Sequence, residues 1–341
     1  MTDLAIAGAT DELVAFLSSP DAYAHRPDRV EAIETHMSLV FIAGDLVFKM
    51  KKPVRLAFVD FTTLEARREN CERELALNQG LAPGVYREVV PVVRTAAGTL
   101  SIGGSGEPVE WLLVMQKLDR ERLLGAVAAR GEAKPADIDG LCDRLAGFYC
   151  STARIPMTEE ELLSWWKEAV DSNVRSLDDL LFDLPRGPVE DVLSAELDFL
   201  DRHADLLTER AREGRILDGH GDLRPEHVHL GPPLRLIDRL EFNARLRWVD
   251  AFDEAAYLGL ECSRLGADWI GPRLIDGLSE RLGDRPSGLL IAFYTCHRAA
   301  MRARLSIEHM RDPNPRTPER WPRQAREYLD LACATLRDLV Q

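Results

Sequence analysis

Two aspartates mark the stretch of this chain whose residue types could do chemistry. Asp222 ends the string His-Gly-Asp, and Asp238 directly follows a short apolar run at 234–237. A second apolar run at 228–230 lies before the Gly-Pro-Pro segment 231–233, so the two runs are predicted to pair as a hairpin. Such a hairpin would hold both carboxylates on one side, where one could orient a hydroxyl and the other could hold Mg²⁺ against nucleotide phosphates. The pattern indicates phosphoryl transfer, although turn-forming aspartates are common and each alone fits that simpler interpretation.

A candidate cation, Lys49, lies in the clearest predicted hairpin of the chain. Residues 39–50 form two apolar runs joined by a Gly-Asp turn at 44–45, a length that suits tight β-hairpins. Lys49 has apolar neighbours on both sides, whereas Lys51 and Lys52 stand at the end of the run. Lysines at a strand end usually form a solvated edge. We therefore expect Lys49 alone of the three to point inward.

The elements around these residues change character along the chain. Thr62, with Glu65 three positions later, predicts the capped start of a helix that runs to about Asn78. Three further strands and a series of amphipathic helices are then expected; the strands are 89–94, 99–102 and 111–115, and the helices include 141–153, a capped helix from Thr158, 189–211 and 287–309. A strand-rich first third followed by a helix-rich remainder predicts an α+β fold with a small antiparallel sheet and a larger helical part.

Composition limits the classes of partner. The net charge of −14 argues against nucleic acid or an anionic membrane as the main partner, because phosphates would be repelled overall. It is compatible with a cationic substrate, although acidic surface also serves solubility. No apolar run is long enough to span a membrane, and the first 30 residues show no export signal. The six cysteines are scattered without a CxxC pair, which predicts buried thiols in a cytoplasmic protein.

The sequence also resembles a known family. HGDLRPEHVHL and LIDRLEFN are similar to the catalytic and metal loops of the aminoglycoside-phosphotransferase group of the protein-kinase-like fold. ETHMSLVFIAGDLVFKMKKPV, RRENCERELALN and RWVDAFDEAAYL resemble bacterial proteins in which such a domain is often fused to a P-loop ATPase. The resemblance covers most of the chain and implies a two-lobed fold, with an N-terminal lobe at 1–115, a hinge at 116–118 and a helical lobe at 119–341. No GxxxxGK[ST] motif occurs, so we expect no ATPase domain within these residues.

The resemblance implies a nucleotide site in the first lobe. Lys49 matches the strand lysine that contacts nucleotide phosphates in kinase-like folds. Glu74 is its implied ion-pair partner, and Glu72 is a rival that spacing does not exclude. Main-chain groups of the hinge, from Gln116 to Leu118, would bind the adenine ring of ATP.

The resemblance also implies roles for the two loops. Asp222 would be the catalytic base or the group that orients the acceptor hydroxyl, and Asp238 would hold Mg²⁺. His220 is expected to brace the catalytic loop rather than to act as a base, because phosphoryl transfer mostly needs positioning. Arg224 could reach a phosphate or brace the loop. Asp250 and Asp253 match carboxylates that brace this region in the family.

Two positions depart from the family pattern. His227 stands where the family has asparagine as a second metal ligand, and imidazole suits transition metals better than Mg²⁺. Either the second metal is held differently, or Mn²⁺ is tolerated, or His227 only makes hydrogen bonds. The turn at 34–38, which would cover the phosphates, contains no glycine, so the hydroxyls of Thr35 and Ser38 could donate in place of the usual backbone N–H groups.

Three hypotheses account for these observations. The first is an ATP-dependent phosphotransferase that acts on a hydroxyl of a small molecule, and it is the one we favour. The second is a nucleotide-sensing pseudokinase that serves a separately encoded ATPase, which His227 and the glycine-free turn favour. The third is an unrelated helical protein in which the motifs arose by chance. The residues that would contact an acceptor lie around 155–212, and their sequence does not identify it.

Overall fold

The structure, a computed structural model, describes residues 11–56, 59–312, 315 and 317–339. Contacts divide the chain into two compact units. The first unit runs as far as Arg122 and also includes the later segment Gly231–Ala244, which carries Asp238. The second unit consists of Leu123–Leu230 together with the chain from Arg245 onward.

The first unit is built on a six-stranded antiparallel sheet. Residues 11–17 form helix α1, and helix α2 is Leu64–Asn78. The strands before and after α2 are β1 (Val30–Glu34), β2 (Ser38–Ala43), β3 (Leu46–Lys51), β4 (Arg55–Leu56), β5 (Val59–Asp60), β6 (Tyr86–Arg94), β7 (Leu100–Ile102) and β8 (Glu107–Gln116). In the main sheet the strand order is β1-β2-β3-β8-β6-β7, and β4 pairs with β5. The predicted hairpin and the three later strands are confirmed.

The two faces of this sheet carry different neighbours. Phe48 and Met50 of β3 lie in an apolar cluster with Leu13 and Leu17 of α1. Leu113 of β8 faces the other way, into a cluster that includes residues of α2. Side chains alternate along a strand, so residues 49 and 51 of β3 share the face that α2 covers. The turn from β2 to β3 is tight because its glycine at 44 adopts a positive φ of 63°.

Most of the side chains that helix α2 buries are polar. Its buried positions include Arg67, Asn70, Glu74 and Asn78, which recur at helical spacing. The helix starts one residue later than predicted, because the Thr63 hydroxyl accepts from the backbone N–H of the third helical residue. The predicted capping box at Thr62 and Glu65 is therefore wrong.

The second unit is mostly helical. Its helices are α3 (Leu124–Ala129), α4 (Pro135–Ser151), α5 (Glu159–Leu177), α6 (Arg186–Arg202), α7 (Ala204–Arg212), α8 (Ala251–Arg264), α9 (Ile270–Leu282), α10 (Gly288–Glu308) and α11 (Arg320–Leu339). Short strands β9 (Ile216–Asp218) and β12 (Trp248–Asp250) pair antiparallel. Both predicted runs between them form strands, β10 (Val228–His229) and β11 (Arg235–Leu236), of which β11 belongs to the first unit.

Local signals account for most of these helices. The capping box of Thr158 and Glu161 is confirmed, and Ser287 caps α10 as its position suggests. The single stretch predicted at 189–211 is instead two helices, which break at His203. Trp166 packs its ring against aromatic side chains of α10, as expected for a core tryptophan. A sheet-based unit and a helical unit confirm the predicted α+β class.

Two further expectations concern the environment of the chain. Four of the cysteines are buried, whereas Cys150 is exposed and Cys333 is half-buried. Within the described residues, no helix combines the length and the apolar character needed to cross a membrane.

Candidate functional site

A buried ion-pair network in the first unit joins β3, α2 and the loop after β11. The Lys49 ammonium nitrogen lies 2.7 Å from Oε1 of Glu74 and 3.1 Å from Oδ1 of Asp238. The Glu74 side chain is fully buried and that of Lys49 is 15% exposed, whereas 44% of the Asp238 side chain is exposed. The lysine thus bridges a buried carboxylate and one that faces outward.

The structure distinguishes between the two glutamates of α2 that could have paired with Lys49. Glu74 occupies the buried stripe of the helix, where it meets the lysine. Glu72 instead forms an exposed pair with Arg68, four residues earlier on the same helix, at 2.9 Å.

A second lysine belongs to the network. The Lys51 ammonium nitrogen lies 2.5 Å from Oε2 of Glu74 and 2.5 Å from Oε1 of Glu241. The expectation that Lys51 is part of a solvated edge is wrong, since its side chain is only 2% exposed. Lys52 does fit that expectation and pairs with Glu34 at 2.8 Å. The signal for Lys51 was present in the alternation of strand side chains, which places it on the same face as Lys49.

The loop that carries Asp238 is held in one conformation by hydrogen bonds. Asp238 adopts a positive φ of 60°, and its backbone N–H donates to the Tyr86 hydroxyl at 2.9 Å. The next backbone N–H, of Arg239, donates to Oδ1 of Asn78 at 2.9 Å. Asn78 lies one helical turn after Glu74, and its amide donates to the Glu74 carbonyl. The loop is therefore tied to the same helix that presents the buried glutamate.

Burial and charge act in opposite directions on the ionisation of this network. Burial lowers the pKa of Lys49, but the carboxylates of Asp238 and Glu74 outweigh it and raise that pKa well above its ordinary value. Burial likewise raises the pKa of Glu74, yet the two lysines lower it overall. Lys49 is therefore protonated and Glu74 ionised at neutral pH, which is the charge state that phosphate binding needs.

The other nucleotide-site candidates lie at the ends of strands. The Thr35 hydroxyl donates to the carbonyl of Ser38 and accepts from its N–H, both at 3.0 Å, so its proton is committed to the turn. Ser38 is itself buried. Gln116 ends β8, where its side-chain amide donates to the carbonyl of Asp45 at 2.9 Å. Leu118 packs against the apolar cluster beneath α2.

In the second unit, Asp222 is surrounded by cations and a phenol. Oδ1 forms an ion pair with Nε of Arg224 at 2.9 Å and accepts from the Tyr257 hydroxyl at 3.2 Å. The side chain is 26% exposed. Burial raises the pKa of Asp222, but Arg224, together with His227, outweighs it and lowers the pKa overall. Asp222 is a carboxylate at neutral pH and a weak base.

The two histidines of the loop have different positions. Nδ1 of His227 lies 2.7 Å from the backbone carbonyl of Asp222, which can only accept, so this nitrogen carries the proton. In the neutral ring Nε2 is then the acceptor, and it lies 3.5 Å from the Arg224 guanidinium. His220 is fully buried and stacks on His227 with ring centroids 5.9 Å apart. Its Nδ1 accepts weakly from the Asp222 N–H at 3.4 Å, a geometry that braces the loop.

Sequence reasoning missed a buried carboxyl beneath this loop. Glu254, in the first turn of α8, accepts from the backbone N–H groups of His220 and Gly221 at 3.0 and 2.5 Å. It also accepts from the Tyr149 hydroxyl at 2.9 Å. Burial raises the pKa of Glu254, and these donors offset only part of that effect. Its only sequence signal was its place in the segment RWVDAFDEAAYL, four residues beyond Asp250.

The two aspartates predicted to brace this region do form buried ion pairs. Asp250 pairs with Arg210 at 2.5 Å, and Asp253 pairs with Arg298 at 2.5 Å. Both carboxylates are almost fully buried. Their contacts are with helices of the same unit, which supports the structural interpretation.

The residues present suit a metal only in part. Mg²⁺ takes carboxylate oxygens, which the exposed side of Asp238 could supply, and Nε2 of His227 suits a borderline metal such as Mn²⁺. Within the described ranges no group of three or more His, Cys, Asp or Glu side chains is arranged to hold a metal ion.

Sequence comparison places the chain beside longer proteins. No family profile matches it. It is 31% identical over 298 residues to an uncharacterized protein of Mycobacterium tuberculosis, a match that covers 84% of this chain and 56% of that protein. An uncharacterized protein of Mycobacterium bovis matches with the same values. The chain therefore spans little more than half the length of the curated relatives it matches.

Structural comparison defines the fold. A choline/ethanolamine kinase family protein from Mesorhizobium loti aligns with a TM-score of 0.52 at 18% identity, over 98% of this chain and 95% of that one. A choline kinase from Cryptosporidium parvum aligns with a TM-score of 0.51 at 12% identity, over 97% and 94%. A glucosamine kinase aligns with a TM-score of 0.51 at 15% identity, over 94% and 78%.

These similarities establish that the chain has a protein-kinase-like fold, of the α+β type in which an antiparallel sheet precedes a helical part. Within that class, the structures it resembles are small-molecule kinases. Because identity is below one fifth, the shared property is the fold, and activity has to be argued from the site itself.

Proposed function

We propose that the chain is an ATP-dependent phosphotransferase that moves the γ-phosphoryl group to a hydroxyl of a small molecule. One observation carries the proposal: Lys49 lies between the buried Glu74 and the outward-facing Asp238, at 2.7 and 3.1 Å. A strand lysine, a helix glutamate and a loop aspartate in contact are the parts that phosphoryl transfer needs on the nucleotide side.

On the nucleotide side, each residue of the network has a distinct task. Lys49 would bind phosphate oxygens as a point charge, and Glu74 would keep its ammonium group in position. Asp238 would hold Mg²⁺. In the second unit, Nε2 of His227 has the chemistry of a ligand for a softer metal such as Mn²⁺. The metal, when bound, neutralises charge on the β- and γ-phosphates. Main-chain groups between Gln116 and Leu118 would contact the adenine ring, and the turn at Ser38 would lie over the phosphates.

On the acceptor side, Asp222 would orient the attacking hydroxyl. Its lowered pKa makes it a weak proton acceptor, which suits a reaction that depends more on positioning than on proton abstraction. His220 would brace the loop. Arg224 contacts Asp222 directly, so the acceptor hydroxyl has to share this carboxylate with it or displace it.

The charge of the chain and the structures it resembles support one class of acceptor for a first test. The similar structures are kinases of choline or ethanolamine and of glucosamine. Each of these small molecules contains a nitrogen atom as well as a hydroxyl group. A net charge of −14 suits a cationic acceptor. We therefore take amino alcohols and amino sugars as the first acceptors to test. We also propose that the reaction takes place in the cytoplasm, where ATP is supplied.

Transfer of labelled phosphate from γ-labelled ATP to that panel tests the proposal, with Mg²⁺ and Mn²⁺ compared. The wild-type chain is expected to label at least one acceptor, and Lys49→Met is expected to abolish labelling. Lys52→Met is the control, because Lys52 directly follows the same strand and contacts exposed partners, the Glu34 carboxylate and the Thr35 carbonyl. Wild-type levels of labelling in Lys49→Met would contradict the proposal.

A second candidate function is a nucleotide-binding pseudokinase that regulates a separate ATPase. The observation that favours it is the engagement of Asp222 by Arg224 and Tyr257, together with His227 in place of the family asparagine. It predicts ATP binding that depends on Lys49, no labelled product from any acceptor, and no change in either result on Asp222→Ala.

A further inference from the structure

Lys51 is a buried cation that the proposed phosphate contact does not use. It extends from the same face of β3 as Lys49, two residues further along the strand. Its ammonium nitrogen lies 2.5 Å from both Oε2 of Glu74 and Oε1 of Glu241. A lysine is almost never buried to this extent unless it is paired, so these two carboxyl groups determine its position.

The network consists of two parallel links between the same three elements. Oε1 of Glu74 accepts from Lys49, and Oε2 accepts from Lys51. In the loop after β11, Asp238 likewise accepts from Lys49, and Glu241 accepts from Lys51. Strand β3, helix α2 and the loop are therefore joined twice.

Only one of the two links is accessible to a ligand. The side chains of Lys49 and Asp238 are 15% and 44% exposed, whereas those of Lys51 and Glu241 are 2% and 5% exposed. A phosphate that binds Lys49, or a metal that binds Asp238, competes with the contact between those two residues. The Lys51–Glu241 contact lies out of reach of such a ligand, so it persists when the first link opens.

We propose that Lys51 and Glu241 form a positioning pair, which keeps Glu74 and the Asp238 loop in place while Lys49 exchanges Asp238 for nucleotide phosphate. The proposal rests on the proposed function, because it assigns the task of the pair within that same nucleotide site. Neither residue touches the nucleotide; both act through Glu74 and the loop.

The electrostatics of the pair support this role. Burial and the neighbouring Glu74 raise the pKa of Glu241, and they are opposed by Lys51, which lies 2.5 Å away, and by Lys49. Without Lys51, two buried carboxyl groups would be left to share Lys49. Glu241 would then move away or become protonated, and the loop would lose one of its two ion pairs with β3.

The test measures how much Mg²⁺ is needed for half-maximal ATP binding, with a fluorescent ATP analogue as the reporter. Lys51→Met and Glu241→Gln are each expected to raise this Mg²⁺ concentration by about tenfold, the loss expected for a buried charged hydrogen bond. The affinity for the analogue without metal should change by less than about threefold, since the ion pair between Lys49 and Glu74 remains. The double variant should be no worse than either single variant, because both remove one interaction.

Lys52→Met is the control for a lysine at the same strand end, and its Mg²⁺ requirement should equal that of wild type. A purely structural role would reduce the fraction of protein that binds without changing the Mg²⁺ requirement of the remainder, and that result would overturn the proposal. The proposal would also be overturned if Lys51→Met and Glu241→Gln both needed the same Mg²⁺ concentration as Lys52→Met. If circular dichroism shows that Lys51→Met is unfolded, Glu241→Gln decides, because glutamine keeps the size of the side chain and removes the charge that pairs with Lys51.

Failure of the proposed function gives a different result. In that case wild type would not bind the analogue with Mg²⁺, or Lys49→Met would bind it equally well. If wild type binds and Lys49→Met does not, while both variants of the buried pair match Lys52→Met, the positioning proposal alone is wrong.

Discussion

The two units stabilise their key carboxylates in different ways. Around Glu74, the partners come from a strand and a loop far apart in the chain, and two lysines divide its two oxygens. Around Asp222, the charged partner comes from its own loop, two residues away, whereas α8 contributes the Tyr257 hydroxyl, which donates to Asp222, and Glu254, which accepts from backbone N–H groups of the loop. The first network therefore depends on charged partners that the fold brings together, whereas Asp222 takes its charged partner from its own loop.

The largest effect is expected at Asp222, whose carboxylate has a proposed role in the reaction and a smaller role in stability than that of Glu74. Asp222→Asn should lower the transfer rate by about 10²- to 10⁴-fold, because the amide cannot orient and receive from the hydroxyl as the carboxylate does. MgATP affinity should stay within about threefold of wild type, since this residue does not bind the nucleotide. Labelled-phosphate transfer and titration calorimetry measure the two quantities. An equal loss in the transfer rate and in MgATP affinity would mean that Asp222 is part of nucleotide binding. Asp201→Asn, at an exposed position, serves as the control.

The contrasting substitution in the first unit should affect stability as well as binding. Glu74→Gln leaves two buried lysines with one carboxylate fewer, which should lower the free energy of unfolding by about 3–5 kcal/mol. Urea unfolding of the purified chain measures this. Glu72→Gln is the matched control on the same helix, and its exposed pair should contribute less than about 1 kcal/mol. Equal stability of the two variants would refute the assembly-dependent interpretation of this network.

His227→Asn tests whether the imidazole at this position affects the metal preference of the reaction. Asparagine supplies an oxygen where the wild type has Nε2, so the ratio of Mg²⁺- to Mn²⁺-supported transfer should rise by about fivefold. The transfer assay in parallel metal titrations provides the ratio. If the ratio does not change, His227 serves only the hydrogen bond from Nδ1 to the Asp222 carbonyl.

The smallest effect is a difference in pH dependence between the two buried glutamates. The pKa of Glu74 is lowered in the folded state, so its contribution is present above the unfolded value of about 4.3 and is lost as pH falls through the folded pKa. The pKa of Glu254 is raised, so the folded state binds a proton first, and stability from this group grows as pH falls through its folded pKa towards about 4.3.

Urea unfolding of wild type and Glu254→Gln between pH 4.5 and pH 7 checks the sign. The difference in unfolding free energy should shift in favour of wild type as pH falls, because only wild type can gain the proton. Glu160→Gln, at an exposed position of α5, is the control substitution. A difference that grows in the opposite direction would mean that the backbone donors of the loop outweigh burial at Glu254.

Much of the fold could be predicted because its signals are local. The Gly-Asp turn sets the β2–β3 hairpin, and Thr158 with Glu161 sets the start of α5. The start of α2 was misplaced because Thr62 and Thr63 are adjacent, and only the hydrogen bond to Asp60 shows that Thr62 is engaged before the helix. The residues of the site that were missed depend on contacts distant in the chain.

Lys51 illustrates the limit of the sequence. Strand alternation places it on the same face as Lys49, but nothing local shows that Glu241 approaches it from 190 positions away. Glu254 was missed for the same reason, since its partners are backbone N–H groups of another loop. Lys49 and Asp222 could be singled out as candidates because chemistry restricts their residue types and because their motifs resemble a family.

The central claim is that Lys49 binds nucleotide phosphates, and a series of nucleotides tests it most directly. Titration calorimetry of wild type, Lys49→Met and Lys52→Met with MgATP, MgADP and adenosine measures how the loss depends on phosphate. We expect Lys49→Met to weaken MgATP by about tenfold or more and to leave adenosine unchanged, with Lys52→Met equal to wild type throughout. Equal affinity of wild type and Lys49→Met for MgATP, or equal losses for MgATP and adenosine, would contradict the account.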